Sequence, residues 1–394
     1  MAESWLSIIG MGEDGLAGLS DGSRAALDSA RHVFGGPRHL ALAGVGERGI
    51  AWGVPFDIRP VLALRGQPVA VLASGDPFWF GAGGSVCQHL AAGEWTAFPV
   101  PSTFSRATAA LGWRLETVRC LGLHATPLSV VRPDLWRGQR LICLVRDGEA
   151  LQTLVALVSS HGYGASSGWA LERLGGPHER IHHFRLDAPD LPALDAPVAL
   201  ALDLHEGPPG LPVSSGLPDE LFAHDGQITK SPMRALTLRA LAPRPGECLW
   251  DLGAGSGSVS VEWCLAGGHS HAVERSPERA ANIRRNAEQL GVPHRLQVHH
   301  AASIDVLATL PAADAVFVGG GFGAELFEAL RPVLRPGCRL VVNGVTLETE
   351  ALLLQLHAQH GGELLQVSLA QAQPLGGLRG WQPARPVVQW SVVL

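Results

Sequence analysis

Two glycine-rich stretches of this 394-residue chain have the residue types and spacing to hold a ligand. The stronger is Asp251-Leu-Gly253-Ala254-Gly255-Ser256-Gly257-Ser258, which follows an apolar run and precedes a helical pattern. Glycines there let a cofactor approach the backbone, and the opening turn of a helix has unpaired N–H groups to offer it. As a dinucleotide fingerprint the stretch fails, because the third glycine of G-x-G-x-x-G falls at Ser258. The leading acid, and Glu274 at the end of the next strand, point to a different ligand. The second stretch, Gly10-Met-Gly12-Glu-Asp-Gly15, satisfies G-x-G-x-x-G literally, yet the strand after it, His32-Val-Phe-Gly-Gly36, ends in no acid that could hold a ribose. NAD is disfavoured at both.

Lys230 is the only lysine among 30 basic residues. In so arginine-rich a chain, a lysine is either a chance survivor or a compact, flexible point charge that a guanidinium cannot replace. Other matches carry less. Gly164-Ala-Ser166-Ser-Gly168 fits the G-x-S-x-G string of hydrolases, but its flanks read as a loop rather than as a strand and a helix. The pairs His182-His183 and His299-His300 have adjacent residues, which alternate faces of a strand; solvated loops are expected there. Arg284-Arg285 reads as a solvated helix face. Six cysteines without a C-x-x-C pair signal neither a zinc ribbon nor a redox motif.

The elements that would position these residues alternate between strand and helix, the pattern of α/β domains. Strand candidates are Trp5–Ile9, His32–Phe34, Pro68–Ala73, Arg140–Val145 and Val198–Leu202 in the first half, with helical patterns near 20–30, 105–111 and 150–160. After a Gly- and Pro-rich linker at 207–216 the rhythm restarts with strands at 246–250, 271–274, 315–318, 339–342 and 387–393. The helix after Glu274 has a clear start, with Ser276 as cap and Pro277 in the first position. We therefore expect two domains, 1–208 and 209–394.

Composition narrows the class. With 46% hydrophobic and 17% charged residues the chain can bury cores, so it is not disordered. The 48 glycines and 28 prolines imply many turns, without the G-X-Y period of collagen. A formal charge of −6 argues against a nucleic-acid binder that relies on a global positive field. No apolar run reaches a membrane span and no secretory signal is visible, so no membrane partner and a cytoplasmic location are expected.

The pattern D-x-G-x-G-x-G, with an acid closing the following strand, resembles the S-adenosylmethionine (SAM) methyltransferases of the Rossmann-like class. Leu217-Pro-Asp-Glu-Leu-Phe222, Gly226-Gln-Ile-Thr229-Lys230-Ser-Pro-Met-Arg234, Val318-Gly319-Gly320-Gly321 and Leu340-Val-Val-Asn343 narrow that resemblance to the decarboxylating precorrin methyltransferases of cobalamin synthesis. The glycines at 319–321 stand where many methyltransferases carry an acidic or polar catalytic motif, which suits a bulky planar substrate lying close to backbone. In the first half, Ser74-Gly75-Asp76-Pro77-Phe-Trp-Phe-Gly81 and Pro101-Ser102-Thr103-Phe-Ser105, with Leu123-His124, resemble the tetrapyrrole methylases.

The implied architecture is an N-terminal tetrapyrrole methylase fold of two α/β subdomains, followed by a C-terminal Rossmann-like class I SAM methyltransferase fold. The two in this order resemble the bifunctional C5,15-methyltransferases that act on precorrin-6Y. The resemblance implies methylation at C5 by the first domain, and methylation at C15 with loss of the ring C acetate carboxyl by the second. It implies SAM at Gly75, Asp76, Pro77, Ser102 and Thr103 in one domain. In the other it implies SAM at Thr229, Asp251, Gly253, Ala254, Gly255, Ser256, Gly257, Glu274 and Ala302. The anionic tetrapyrrole is expected at Gly10 and Gly12, and at Lys230, Arg234, Gly320 and Gly321. No metal is expected, and a homo-oligomer is. The rival reading is a SAM methyltransferase for another substrate, whose first domain only binds tetrapyrrole or scaffolds an oligomer.

Overall fold

Val69-Ala-Val-Leu-Ala73 is apolar at every position, which suits a strand covered on both faces rather than one with a wet side. In the computed structural model, which describes residues 4–394, this run is the fully buried centre of a parallel sheet. The chain divides into two compact units, Met1–Leu128 with Asp134–Pro209, and Ser129–Pro133 with Gly210–Leu394.

The first unit contains two sheets. One is built from β1 (Leu6–Met11), β2 (His32–Gly35), β3 (Gly49–Ala51), β4 (Val69–Ser74) and β5 (Trp95–Phe98) in the order β3-β2-β4-β1-β5, parallel throughout. The other is built from β6 (Val118–Gly122), β7 (Arg140–Leu144), β8 (Ser167–Glu172), β9 (Arg180–Arg185) and β10 (Val198–Asp203) in the order β6-β7-β10-β8-β9. Only β6 and β7 run parallel there; the other neighbours are antiparallel.

His182 and His183 lie on β9, not in a solvated loop. His182 Nε2 is 2.8 Å from the buried carboxylate of Glu172, and the His183 ring packs on Trp169 at 4.8 Å. A carboxylate buried on β8 needs a partner, and β9 supplies it. Ser166, of the G-x-S-x-G string, is buried with its hydroxyl donating to the carbonyl of Glu206 at 2.7 Å, so it is no nucleophile.

The second unit holds one large sheet. Its strands are β11 (Cys248–Leu252), β12 (His269–Glu274), β13 (Leu296–His300), β14 (Ala315–Val318), β15 (Arg339–Gly344), β16 (Glu363–Val367) and β19 (Val387–Val393), ordered β13-β12-β11-β14-β15-β19-β16. A hairpin of β17 (Ala370–Leu375) and β18 (Leu378–Pro383) pairs separately. The first five strands of that order are parallel and β19 is antiparallel to both neighbours. His299 and His300 lie on β13 rather than in a loop, and the His299 ring stacks on His271 of β12.

Three buried tryptophans fill the core of this unit. Each indole N–H has a carbonyl partner: Trp250 with Pro311, Trp263 with Glu247 and Trp390 with Gly361. That satisfaction is what lets so large a polar-tipped side chain go inside. The helix Pro277–Gln289 starts where its sequence says, with Ser276 Oγ accepting from Arg279 N–H. No helix among the described residues is long and apolar enough to cross a membrane.

Candidate functional site

In the first unit a cavity of about 340 Å³ opens beside the carboxyl ends of β1 and β4. Gly12, Gly75, Ser102 and Thr103 line it, with Met11, Leu72 and Phe104 among its apolar walls. Gly75 has φ 57°, and a Cβ there would stand 2.9 Å from Ser102 Cα, so glycine alone lets the loop after β4 close on the segment after β5. Ser102 caps the helix Thr103–Leu111, its Oγ accepting from Ser105 N–H at 3.1 Å.

Three expected site residues stand elsewhere. Gly10 lies inside β1, where a Cβ would overlap the Gly75 carbonyl; it makes room for the loop and does not line the cavity. Asp76 accepts from Phe78 N–H at 2.9 Å, and the Pro77 carbonyl sits where any side chain on Gly81 would clash. Both shape the turn and neither reaches the cavity wall.

The charged lining was not foreseen. Arg38 pairs with Glu13, and Arg106 donates to Asp14 at 2.8 Å. His39 Nε2 is 2.8 Å from Ser74 Oγ, and burial, then the neighbouring Arg38, push its pKa down to about 4, so the ring is neutral near pH 7. The available signal was position: Arg38 and His39 follow the Gly35-Gly36-Pro37 turn at the end of β2, and Arg106 sits one turn past Ser102.

In the second unit the sheet order reverses between β11 and β14, and the crevice beyond such a switch point is where open α/β sheets bind ligands. The glycine loop leaves β11 there. Gly253 has φ 68°, and a Cβ on it would stand 2.6 Å from the Gly320 carbonyl, so the loops after β11 and β14 meet backbone to backbone. Glu274 ends β12 with both carboxylate oxygens held, Oε2 by Gly255 N–H and Oε1 by Ser276 N–H, each at 2.9 Å.

Gly253 and Ala254 both donate to the Val273 carbonyl at 3.0 Å. The Cβ direction of Gly255 is clear up to Gln227 O at 3.8 Å, and those of Gly320 and Gly321 meet nothing within 4 Å. Ala302 is exposed just past the end of β13, beside Ala301, whose N–H reaches the Glu274 carbonyl at 3.2 Å. Gly257 serves packing instead, since a side chain would strike Ile283 at 2.7 Å.

Asp251 is fully buried. Its Oδ2 takes the Ser260 hydroxyl at 2.6 Å, while Oδ1 and the neighbouring Ser256 Oγ are buried without a partner. Burial lifts its pKa to about 6 against the Ser260 hydrogen bonds. Orphaned polar atoms beneath an open glycine backbone fit a polar ligand at this loop.

Arg234 is not at a cleft rim. It is wholly buried, donating to Glu262, Asp219 and the carbonyls of Thr229 and Leu217, with its guanidinium 4.7 Å over the Phe222 ring. Those contacts occupy four of its five N–H donors, and with its side chain wholly buried it does not face a substrate cleft. Lys230 precedes the helix Ser231–Leu241 with its side chain 60% exposed and Nζ 3.5 Å from Asp219. Two partners that the sequence did not signal complete the clamp on residues 216–230. Glu262 accepts from the N–H groups of Gly216 and Leu217. Asn286 joins Ala223 to the Ser256 carbonyl.

A parallel sheet with a glycine loop at its switch point, and an acid held at the end of the next strand, defines the second unit as a Rossmann-like methyltransferase. Residues 220–394 match the family of precorrin methyltransferase domains, and residues 6–190 match the tetrapyrrole (corrin/porphyrin) methylases. A Sinorhizobium protein named precorrin-6Y C(5,15)-methyltransferase (decarboxylating) is 46% identical over 98% of this chain and 96% of its own. A Mycobacterium tuberculosis protein of the same name is 38% identical over 98% of each. A probable cobalt-precorrin-6B C(15)-methyltransferase (decarboxylating) from Pyrobaculum aerophilum is 34% identical over 44% of this chain and 92% of its own. The chain belongs to the family of decarboxylating precorrin-6Y C5,15-methyltransferases. It is a SAM-dependent C-methyltransferase.

Proposed function

We propose that the chain methylates precorrin-6Y at two carbons, the first unit at C5 and the second at C15, where the ring C acetate also loses carbon dioxide. The observation that carries this reading is the presence of two separate glycine-built cradles in one chain, Gly75 against Ser102 and Gly253 against Gly320. That a relative named for C15 methylation alone matches 44% of the chain supports a division of labour between units.

SAM, when bound, supplies an electrophilic methyl group on a sulfonium. The chain's own part is to bind, to orient and to exclude water, because displacement by an electron-rich ring carbon needs alignment more than a protein nucleophile. In the second unit Glu274 would hold the ribose hydroxyls, with Asp251, Gly253, Ala254, Gly255, Ser256 and Ala302 around the remainder. Thr229 and Lys230 would close the mouth, and the open backbone of Gly320 and Gly321 would lie against the macrocycle. In the first unit Gly75, Ser102 and Thr103 would hold the cofactor, and Gly12 would face the substrate. Cytoplasmic location and a homo-oligomeric state complete the proposal.

The test uses full-length protein with SAM and precorrin-6Y, and product mass as the readout. Glu274→Ala should return a singly methylated product that keeps its carboxyl. A doubly methylated, decarboxylated product from that variant would remove the second unit's cradle from the reaction.

A further inference from the structure

Asn343 closes the Leu340-Val-Val-Asn343 stretch of β15, and its side chain belongs to a small polar cluster in an otherwise apolar layer. It stands directly across the antiparallel pair from Gln389 of β19, whose Nε2 donates to Asn343 Oδ1 at 2.9 Å. Both amides also donate to one oxygen, Thr237 Oγ1 of the helix Ser231–Leu241, Asn343 Nδ2 at 2.9 Å and Gln389 Nε2 at 3.2 Å. Thr237 in turn donates its hydroxyl to the Met233 carbonyl, one turn back, at 2.9 Å. Thr237 is wholly buried and Gln389 nearly so, whereas Asn343 is only partly covered. The same helix and sheet otherwise pack through Leu238, Leu241, Phe317 and Val341.

The three side chains differ in what they have left to offer. Thr237 Oγ1 gives one hydrogen bond and takes two, and Gln389 Nε2 uses both its hydrogens inside the cluster. Asn343 keeps one N–H on Nδ2 and one lone pair on Oδ1. A buried polar cluster stabilises a fold no more than apolar side chains of the same shape. What this one adds is orientation: bonds at both ends of the Asn343 amide fix its plane and which end is which. The register that pairs Val342 with Val318 sets Asn343 level with Gly319, at the carboxyl edge where Gly320 and Gly321 leave their Cβ directions open.

On the reading that the second unit removes the ring C carboxyl, we propose that Thr237 and Gln389 are positioning residues. They lock the Asn343 amide so that its remaining N–H holds the carboxylate that is lost. In that step the C–C bond to the carboxylate breaks, its electron pair passes into the conjugated macrocycle, carbon dioxide leaves, and a proton from solvent completes the methyl group. A carboxylate that departs as carbon dioxide gives up its charge, so a cation would hold the ground state more firmly than the transition state. A neutral amide, fixed by its neighbours, aligns the group without that penalty.

The test follows full-length protein with SAM and precorrin-6Y, scoring decarboxylation and C15 methylation, C5 methylation and SAM affinity separately. Asn343→Ala should lower kcat/KM for decarboxylation about ten-fold or more, the scale of one hydrogen bond to a charged group, and leave C5 methylation and SAM affinity as in the parent. Thr237→Val keeps the outline of the side chain but removes the acceptor of both amides, and should show the same pattern. The helix stays tied to the sheet at its far end, where Arg339 Nε donates to the Leu241 carbonyl at 2.7 Å. Thr237→Ser, which restores the hydroxyl, should restore the rate. On an Asn343→Ala background Thr237→Val should cost nothing further, because it acts through that amide. Parent-like decarboxylation by Asn343→Ala overturns the proposal. So does a Thr237→Val loss that recurs in full on the Asn343→Ala background, or that is matched by weaker SAM binding in Thr237→Val and Thr237→Ser alike. Parent protein that leaves the carboxyl in place would remove the underlying reading and this proposal with it, whereas a failure seen only in the variants removes the proposal alone.

Discussion

The carboxylate of Glu274 stands 2.9 Å from the amide nitrogen of Gly255, so the acid that closes β12 and the loop that leaves β11 are joined by a hydrogen bond. Its other oxygen takes the amide of Ser276 at the same distance. Both oxygens must accept. Glu274→Gln puts an NH₂ group against one of two N–H donors, a mismatch of about 1–3 kcal/mol. The expected result is a rise in the SAM concentration needed for C15 methylation of about ten-fold or more, with C5 methylation unchanged. Equal loss at both carbons would contradict it.

Arg234 and Lys230 separate a structural role from a functional one. Removing a buried guanidinium leaves the buried Glu262 without its cation and Asp219 with the exposed Lys230 alone, so Arg234→Met should cost about 3–5 kcal/mol in unfolding. Lys230 is exposed and its ion pair with Asp219 is worth about 1 kcal/mol at most. Lys230→Ala should therefore melt like the parent while impairing C15 methylation with decarboxylation, and spare C5. Unchanged kinetics at both carbons would return Lys230 to a surface residue.

Asp251 links stability to pH. Its pKa is raised from 3.8 to about 6, mainly by burial, so between those values the folded state holds a proton that the unfolded chain has released. Stability thus falls as pH rises from near 4 to near 6, and the full cost, roughly 3 kcal/mol, persists above that window. Asp251→Asn removes the cost without changing shape. Its denaturation midpoint should exceed the parent's at pH 8, and the gap should close by pH 4. A gap that is the same at both pH values would show that ionisation of Asp251 is not the cause.

Two glycines of similar appearance in the sequence should respond in opposite ways. Gly10→Ala drives a methyl group into the Gly75 carbonyl, so the first unit should lose about 1–3 kcal/mol of stability and its methyl transfer with it. At Gly320 a methyl group meets nothing within 4 Å. Gly320→Ala should fold normally and show its effect only as weaker macrocycle binding, read from the Michaelis constant for precorrin-6Y.

Much of this was legible along the chain. The strand before Asp251, the cap at Ser276 and the βα rhythm of both halves follow from local patterns that tertiary contacts did not override. What stayed hidden depends on partners far away in sequence. Arg234 looks like any arginine on an amphipathic helix until Glu262 and Asp219 are placed around it. His182 looks like a loop residue until β8 brings Glu172 beside it. Gly10 and Gly75 both match motif positions, yet only the fold reveals that one glycine makes room for the other. The lining arginines Arg38 and Arg106 belong to no motif, and only the cavity draws them together.

The most direct measurement is the mass of the product formed by full-length protein from precorrin-6Y and SAM, compared across the parent, Glu274→Gln and a Gly75→Val variant whose side chain would strike Ser102. The parent should add two methyl groups and lose one carboxyl. Glu274→Gln at limiting SAM should add only the C5 methyl, and Gly75→Val should still add the C15 methyl with decarboxylation. Loss of both methyl transfers in either variant, with the other unit still folded, would contradict two independent sites on one chain.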